Sequence, residues 1–227
     1  MIASGQAQSE KRKNTPGPQG WLFESSEFQQ ELYSLCEKLS LESTTARSLV
    51  VSGASGGEGT TTVALNLAYA FAQLKLRRTL LVDANLRKPA VHQALELPLE
   101  PGLSDWNVSE EPPLLRTPWS ANLSVLTAGS LADDLAWEKC NRILPALSVH
   151  VRASFDVVIW DTPPIATYPD ALSLARDADG VLLVAEADRT TLSSLADARE
   201  QITRVGGVVL GVVLNRKGRH LPKWLRR

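Results

Sequence analysis

A glycine-rich run set between a strand-like and a helix-like segment constrains this chain more than any other feature: Ser52-Gly53-Ala54-Ser55-Gly56-Gly57-Glu58-Gly59-Thr60-Thr61-Thr62. Residues 48–52 are a short apolar run of buried-strand type, and over residues 61–76 Val63, Leu67, Ala70, Phe71 and Leu74 recur at helical spacing. Strand, glycine loop, helix is the order of a phosphate-binding loop. There, backbone N–H groups wrap an anion, a lysine reaches the outer phosphates and a hydroxyl takes Mg²⁺. Ala54 opens the motif, Gly59 closes it and Thr61 fills the hydroxyl slot, but Thr60 stands where the lysine is expected. The cradle is written into the sequence without its main cation.

The remaining apolar runs predict a layered α/β fold. Strands are expected over 79–83, 123–126, 155–161, 180–185 and 208–214, and helices over 27–41, 136–151, 170–176 and 191–205. Continuous β-branched runs alternating with amphipathic helices imply a mostly parallel central sheet with helices on both faces, a Rossmann-like arrangement. In such sheets ligands sit beyond the carboxyl ends of the strands. The sequence divides into a polar, disordered leader over 1–20, one folded domain over 21–218, and a basic stretch over 219–227 that includes Trp224.

Composition excludes several classes. A formal net charge of −1 argues against a strongly basic nucleic-acid binder. Two cysteines, Cys36 and Cys140, lie far apart without metal-ligand spacing, so free core thiols in a reducing cytoplasm are expected. No apolar run approaches the roughly 18 residues that span a bilayer, and the N-terminal stretch lacks the apolar segment of a secretory signal.

Two aspartates set the expected chemistry. Asp161 ends an apolar strand and precedes Thr162-Pro163-Pro164, a stiff turn that leaves a carboxylate at the strand tip, suited to Mg²⁺. Asp83 also ends a strand, in Asp83-Ala84-Asn85-Leu86-Arg87-Lys88-Pro89. Asp83 and Asn85 are expected to present two polar side chains on one side.

These residues carry a family resemblance. The run from Val82 to Pro89 is similar to the second Walker-type motif of bacterial tyrosine kinases, the BY-kinases of capsule and exopolysaccharide export, and Ile159-Trp160-Asp161-Thr162-Pro163-Pro164 resembles their Walker B strand. Asp170-Ala171-Leu172, Gly180-Val181-Leu182-Leu183-Val184, Gly102-Leu103-Ser104-Asp105 and Gly211-Val212-Val213-Leu214-Asn215-Arg216 fit the same template. The loop by itself also resembles that of the wider MinD- and ParA-like P-loop NTPase group. The resemblance implies binding of ATP or ADP with Mg²⁺ through Gly56, Gly57, Glu58, Gly59, Thr60, Thr61 and Thr62, with Asn215 matching the position that reads the adenine edge and Arg216 also among the nucleotide-binding residues. It implies Mg²⁺ held by Thr61, Asp83 and Asp161, and catalysis by Asp83 and Asp161. Glu58 is expected to face solvent or a partner rather than act as a catalyst. The family also implies autophosphorylation on tyrosines and a membrane partner, a polysaccharide co-polymerase or export-complex protein, with cytoplasmic placement peripheral to the inner membrane. Self-association belongs to the same picture; nucleic acid does not.

The chain departs from that pattern at four places. Thr60 replaces the loop lysine and Asn85 the second acid of an Asp-x-Asp pair. A helical Glu-x-x-Arg-x-x-Arg motif would fall on Glu27, Gln30 and Tyr33, and the stretch from His220 to Arg227 has no tyrosine. The expectation is a BY-kinase-like nucleotide binder of impaired catalysis that regulates export. One alternative is an active kinase or ATPase whose missing cation comes from a partner, or from Arg87 or Lys88. The loop of cellulose-secretion accessory ATPases, which is similar in lacking the lysine, keeps that alternative open. Another is a MinD-like positioning module that docks on membranes through its basic tail. On the positioning reading, deleting residues 221–227 abolishes co-sedimentation with anionic liposomes; unchanged co-sedimentation rejects it.

Overall fold

The computed structural model describes residues 26–41, 48–130 and 136–216. The leader over 1–20, the basic stretch over 219–227 and the side chain of Cys140 lie outside the described residues. In chain order the elements are α1 (Ser26–Leu41), β1 (Ser48–Gly53), α2 (Thr60–Gln73), β2 (Thr79–Asp83), α3 (Val91–Ala94), β3 (Leu115–Arg116), β4 (Leu123–Leu126), α4 (Ala136–Arg152), β5 (Val157–Asp161), α5 (Asp170–Asp177), β6 (Gly180–Glu186), α6 (Leu192–Arg204) and β7 (Val209–Asn215).

The strands form one seven-stranded sheet in the order β3-β4-β2-β5-β1-β6-β7. Every neighbouring pair is parallel except β3 with β4. The Rossmann-like expectation therefore holds, with β1 an interior strand between β5 and β6. β3 was not foreseen, because two residues at an antiparallel edge carry no periodic signal. The one-turn helix α3 and the 3₁₀ turn Leu103–Asp105 are too short for the same reason.

Strand alternation divides the core in two. Leu49, Val51, Leu81, Ile159, Leu182 and Val184 point to the face covered by α1 and α2. Val50, Leu80, Val82, Val158, Trp160, Val181 and Leu183 point to the face covered by α4, α5 and α6. β1, β2 and β5 are buried along their whole length, as strands covered on both faces must be. Helix α2 is buried on more sides than its sequence stripe suggests, since Leu65, Ala68 and Ala72 are buried too. Helix α1 lies over its outer side, placing Leu32, Cys36 and Leu39 in the same core. Lys75, beyond the end of α2, pairs with Glu37 of α1 and lies 4.0 Å from the Tyr33 ring centre. Cys36 is a free, buried thiol, and that burial pushes its pKa up to about 12, in the unreactive range.

Trp160 is fully buried, and its indole N–H donates to the Ser48 hydroxyl at 2.9 Å, tying β5 to the start of β1. Leu81 is likewise fully buried, on the opposite face of β2. Leu81→Ala should lower unfolding free energy by about 2–5 kcal/mol, the usual cost of a Leu-to-Ala cavity. Urea denaturation checks this; a loss below about 1 kcal/mol would show that the core relaxes around the gap.

Candidate nucleotide site

The glycine loop links β1 to α2 at the carboxyl edge of the sheet. Gly59 caps α2 with φ 83°, a left-handed conformation that few side chains tolerate. A β-carbon there would also collide with Nδ2 of Asn215, which donates to the Glu58 carbonyl at 2.8 Å. Asn215, at the end of β7, is thus built into the loop's base. The first-turn N–H groups of Thr60, Thr61 and Thr62 have no intrahelical acceptor and stand at the positive end of the α2 dipole. Amides so placed are suited to an anion.

Glu58 does not face solvent or a partner: it is only 2% exposed. Its carboxylate turns inward, where Oε1 accepts the Ser55 N–H at 2.6 Å and Oε2 accepts the Gly56 N–H at 2.7 Å. The physical reason is local. The loop curls so that two amides converge on its inside, and a carboxylate two or three residues later in the chain satisfies both. Gly53 permits this fold, since a β-carbon at that position would lie 2.5 Å from Oε2 of Glu58. The same virtual atom would lie 3.0 Å from Oγ1 of Thr60, so the Thr60 side chain also turns back toward the end of β1.

The two aspartates meet across the sheet. Asp83 and Asp161 are register partners on β2 and β5, and both are fully buried. Their surroundings differ sharply. Asp83 accepts three backbone N–H groups, from Asn85 at 3.2 Å and from Ala90 and Val91 at 3.1 Å each, so it holds the turn after β2 and starts α3. Neither oxygen of Asp161 closes a hydrogen bond among the described residues. Burial pushes Asp83 up to about 6, against the pull of its three amides. Asp161 is driven well above the ordinary range, first by burial and then by the negative charge of Asp83, with the Thr61 hydroxyl offsetting part of the rise. An orphaned, buried carboxylate beside Thr61 and an anion loop is a donor set suited to a hard divalent cation such as Mg²⁺.

Other candidates fall in different places. Asn85 caps its own turn, its Oδ1 accepting the Lys88 N–H at 3.2 Å, and does not pair with Asp83 through its side chain. Arg87 lies over the Tyr168 ring, 4.4 Å from its centre, and Lys88 is exposed. Side-chain placement of Asp170 lies outside the described residues. Arg216 donates from Nη1 to the Gly57 carbonyl at 3.0 Å. Arg189, which the sequence reading did not select, also reaches Gly57. A β-carbon on that glycine would lie 3.1 Å from its Nη1. The missed signal is topological, because Arg189 follows β6 and only the β1–β6 pairing brings it to the loop. A cavity of about 260 Å³, floored by Ser48 and Trp160 between α4 and α5, shares no residue with this site.

A mostly parallel sheet with a glycine loop after an interior strand, β1, and register-paired carboxylates ending β5 and β2 has the fold of the P-loop nucleotide-binding class. No protein-family model matches the chain. It is 35% identical over 173 residues to the tyrosine-protein kinase YwqD of Bacillus subtilis strain 168, covering 75% of this chain and 73% of that protein. It is 30% identical over 188 residues to the succinoglycan biosynthesis transport protein ExoP of Rhizobium meliloti strain 1021, which is 80% of this chain and 23% of ExoP. The crystal structure of the chimerical protein CapA2B2 superposes with a TM-score of 0.75 at 28% identity, over 86% of this chain and 85% of that one. The chain belongs to the bacterial tyrosine-protein kinase family.

The raised acids give a signed pH dependence. Because the folded pKa values lie above the unfolded value of 3.8, the native state holds protons that the unfolded chain has released. This contribution to stability is full below about pH 4, and is lost as pH rises through about 6 for Asp83 and higher still for Asp161. Asp161→Asn removes one member of the pair. Thermal melts of the nucleotide-free chain should show the variant gaining on the native protein steadily from pH 5 to pH 8. A difference in Tm that does not change with pH would mean that the two carboxylates do not share this burden.

Proposed function

We propose that this chain binds ATP or ADP with Mg²⁺, transfers phosphoryl groups poorly, and regulates an exopolysaccharide or capsule export assembly through a membrane partner. The observation that carries the reading is the unpartnered, buried Asp161 beside Thr61 and an amide-lined loop whose lysine slot holds Thr60. Thr61 and Asp161 would hold Mg²⁺, with Asp83 adjacent, and the ion would neutralise charge on the phosphate oxygens. The amides of residues 60–62 bind the phosphates, and Asn215 steadies the loop from below.

Binding and turnover are affected unequally. A charge-assisted hydrogen bond contributes about 1.5–3 kcal/mol, so loss of the lysine weakens triphosphate binding by about one to two orders of magnitude and leaves the amides in place. Phosphoryl transfer depends almost wholly on positioning and on stabilising transition-state charge. The Thr60 hydroxyl cannot neutralise that charge. An amide at Asn85, folded onto its own turn, is a poor acceptor for a tyrosine proton.

The link to export follows the family, one of whose members is named for succinoglycan biosynthesis transport. Among the described residues no helix is long and apolar enough to cross a membrane, so a contact with the inner membrane would run through a partner or the protein surface. The same family context supports self-association and a cytoplasmic, peripheral position.

Titration of ATP with Mg²⁺ against the native chain and against Thr60→Lys tests the proposal. The native chain should bind weakly and hydrolyse slowly; the lysine variant should bind about ten to a hundred times more tightly and gain turnover. Rapid ATP hydrolysis or autophosphorylation by the native chain alone would overturn the impaired reading.

A further inference from the structure

The cation missing from position 60 has a counterpart elsewhere on the loop's rim. β6 ends at Glu186 and β7 at Asn215, and these two residues are register partners, so both strand ends reach the glycine loop together. Beyond β6 the chain makes a tight turn. The Thr190 N–H donates to the Glu186 carbonyl at 3.0 Å, the Thr190 hydroxyl accepts the Glu186 N–H at 2.9 Å, and the Ala187 N–H reaches the Asn215 carbonyl at 2.9 Å. That turn delivers Arg189 to Gly57.

Glu186 sits between two guanidinium groups. Its Oε2 pairs with Nη1 of Arg189 at 2.9 Å and its Oε1 with Nη1 of Arg216 at 3.0 Å. Both hydrogen bonds lower the Glu186 pKa, the Arg216 bond first, so the carboxylate stays ionised. Two guanidinium groups thus converge on one carboxylate over Gly57, on the outer side of the loop from the Glu58 carboxylate. The guanidinium groups remain more than half exposed, at 63% and 54%, whereas Glu186 is only 16% exposed, so the cations form the outer layer. Each fork keeps N–H groups beyond the one used on Glu186.

The backbone is shaped around this arrangement. Asp188 and Arg216 both adopt positive φ, 62° and 56°, in the left-handed region that non-glycine residues seldom occupy. Gly57 itself has φ 86° and lacks the β-carbon that would crowd Arg189. Backbone held in sparsely populated conformations on both strand ends, each presenting an arginine to the same glycine, points to function rather than to packing.

We propose that Arg189, fixed with Arg216 on the Glu186 carboxylate over Gly57, supplies the positive charge for the nucleotide's phosphate chain that residue 60 does not. This rests on nucleotide binding at the loop as proposed above. Arg189 makes the phosphate contact through its planar fork, which suits phosphate oxygens better than a point charge. Glu186 is a positioning residue that holds both forks open toward the ligand. The placement differs from that of a loop lysine: the charge approaches from the β6–β7 side, outside the helix axis. Such a charge strengthens binding of the phosphates without sitting where a lysine would follow the transferred group.

Calorimetric titration with ATP–Mg²⁺ and, separately, with adenosine distinguishes the possibilities. Arg189→Ala should weaken ATP binding by about tenfold or more and leave adenosine affinity unchanged. Adding Thr60→Lys to Arg189→Ala should restore ATP affinity, since the loop regains a cation by the ordinary route. Arg189 is exposed, so the variant should melt within a degree or two of the native chain. Unchanged ATP affinity in Arg189→Ala, or equal loss for ATP and adenosine, overturns the assignment while leaving nucleotide binding intact. A native chain that binds no ATP at millimolar concentration overturns the nucleotide reading, and this inference with it.

Discussion

Parallel pairing of β1 with β5 on one side and β6 on the other is the constraint from which the site follows. In a parallel sheet all carboxyl ends emerge on the same edge, so the loop after β1, the carboxylate ending β5 and the turn after β6 become neighbours without any contact between them in sequence. β2 adds Asp83 and β7 adds Asn215 by the same rule. Two apolar layers keep this edge in register. A shift of one residue would turn every strand's buried face toward the wrong helices.

The edge carries a concentration of charge that a purely structural fold would avoid. Asp83 and Asp161 lie side by side without exposure, and among the described residues only Asp83 has its oxygens on backbone N–H groups. Three backbone amides explain Asp83, which organises the segment leading into α3. Asp161 has no such set of amides among the described residues, its one favourable neighbour being the Thr61 hydroxyl, and on the proposed reading a bound cation would account for the carboxylate kept there. The cost of keeping it is offset by the apolar packing of Trp160 and Ile159 immediately before it.

Positive charge around the loop is displaced rather than absent. Thr60 removes it from the start of α2, Glu58 turns a negative group into the loop's interior, and Arg189 and Arg216 place guanidinium groups over Gly57. On the proposed reading, this arrangement would separate holding a phosphate chain from stabilising its transfer, which require charge at different points along the same chain.

Local pattern determined a large part of this protein. The order of elements, the glycine loop with Thr60 in its lysine slot, and the two aspartates at strand ends were all legible, because each depends on residues close in sequence whose periodicity or turn chemistry is self-contained. Tertiary structure alone decided which aspartate is satisfied, since the amides of Ala90 and Val91 reach Asp83 only after the chain turns back over β2. It decided that Glu58 is buried, because its partners depend on how the loop curls above Gly53. It also brought Arg189 to Gly57, through a pairing of β1 with β6 that joins distant parts of the chain. Spacing along a sequence specifies what each segment becomes, whereas strand order and register specify which segments meet, and the charges of this site are set by that meeting.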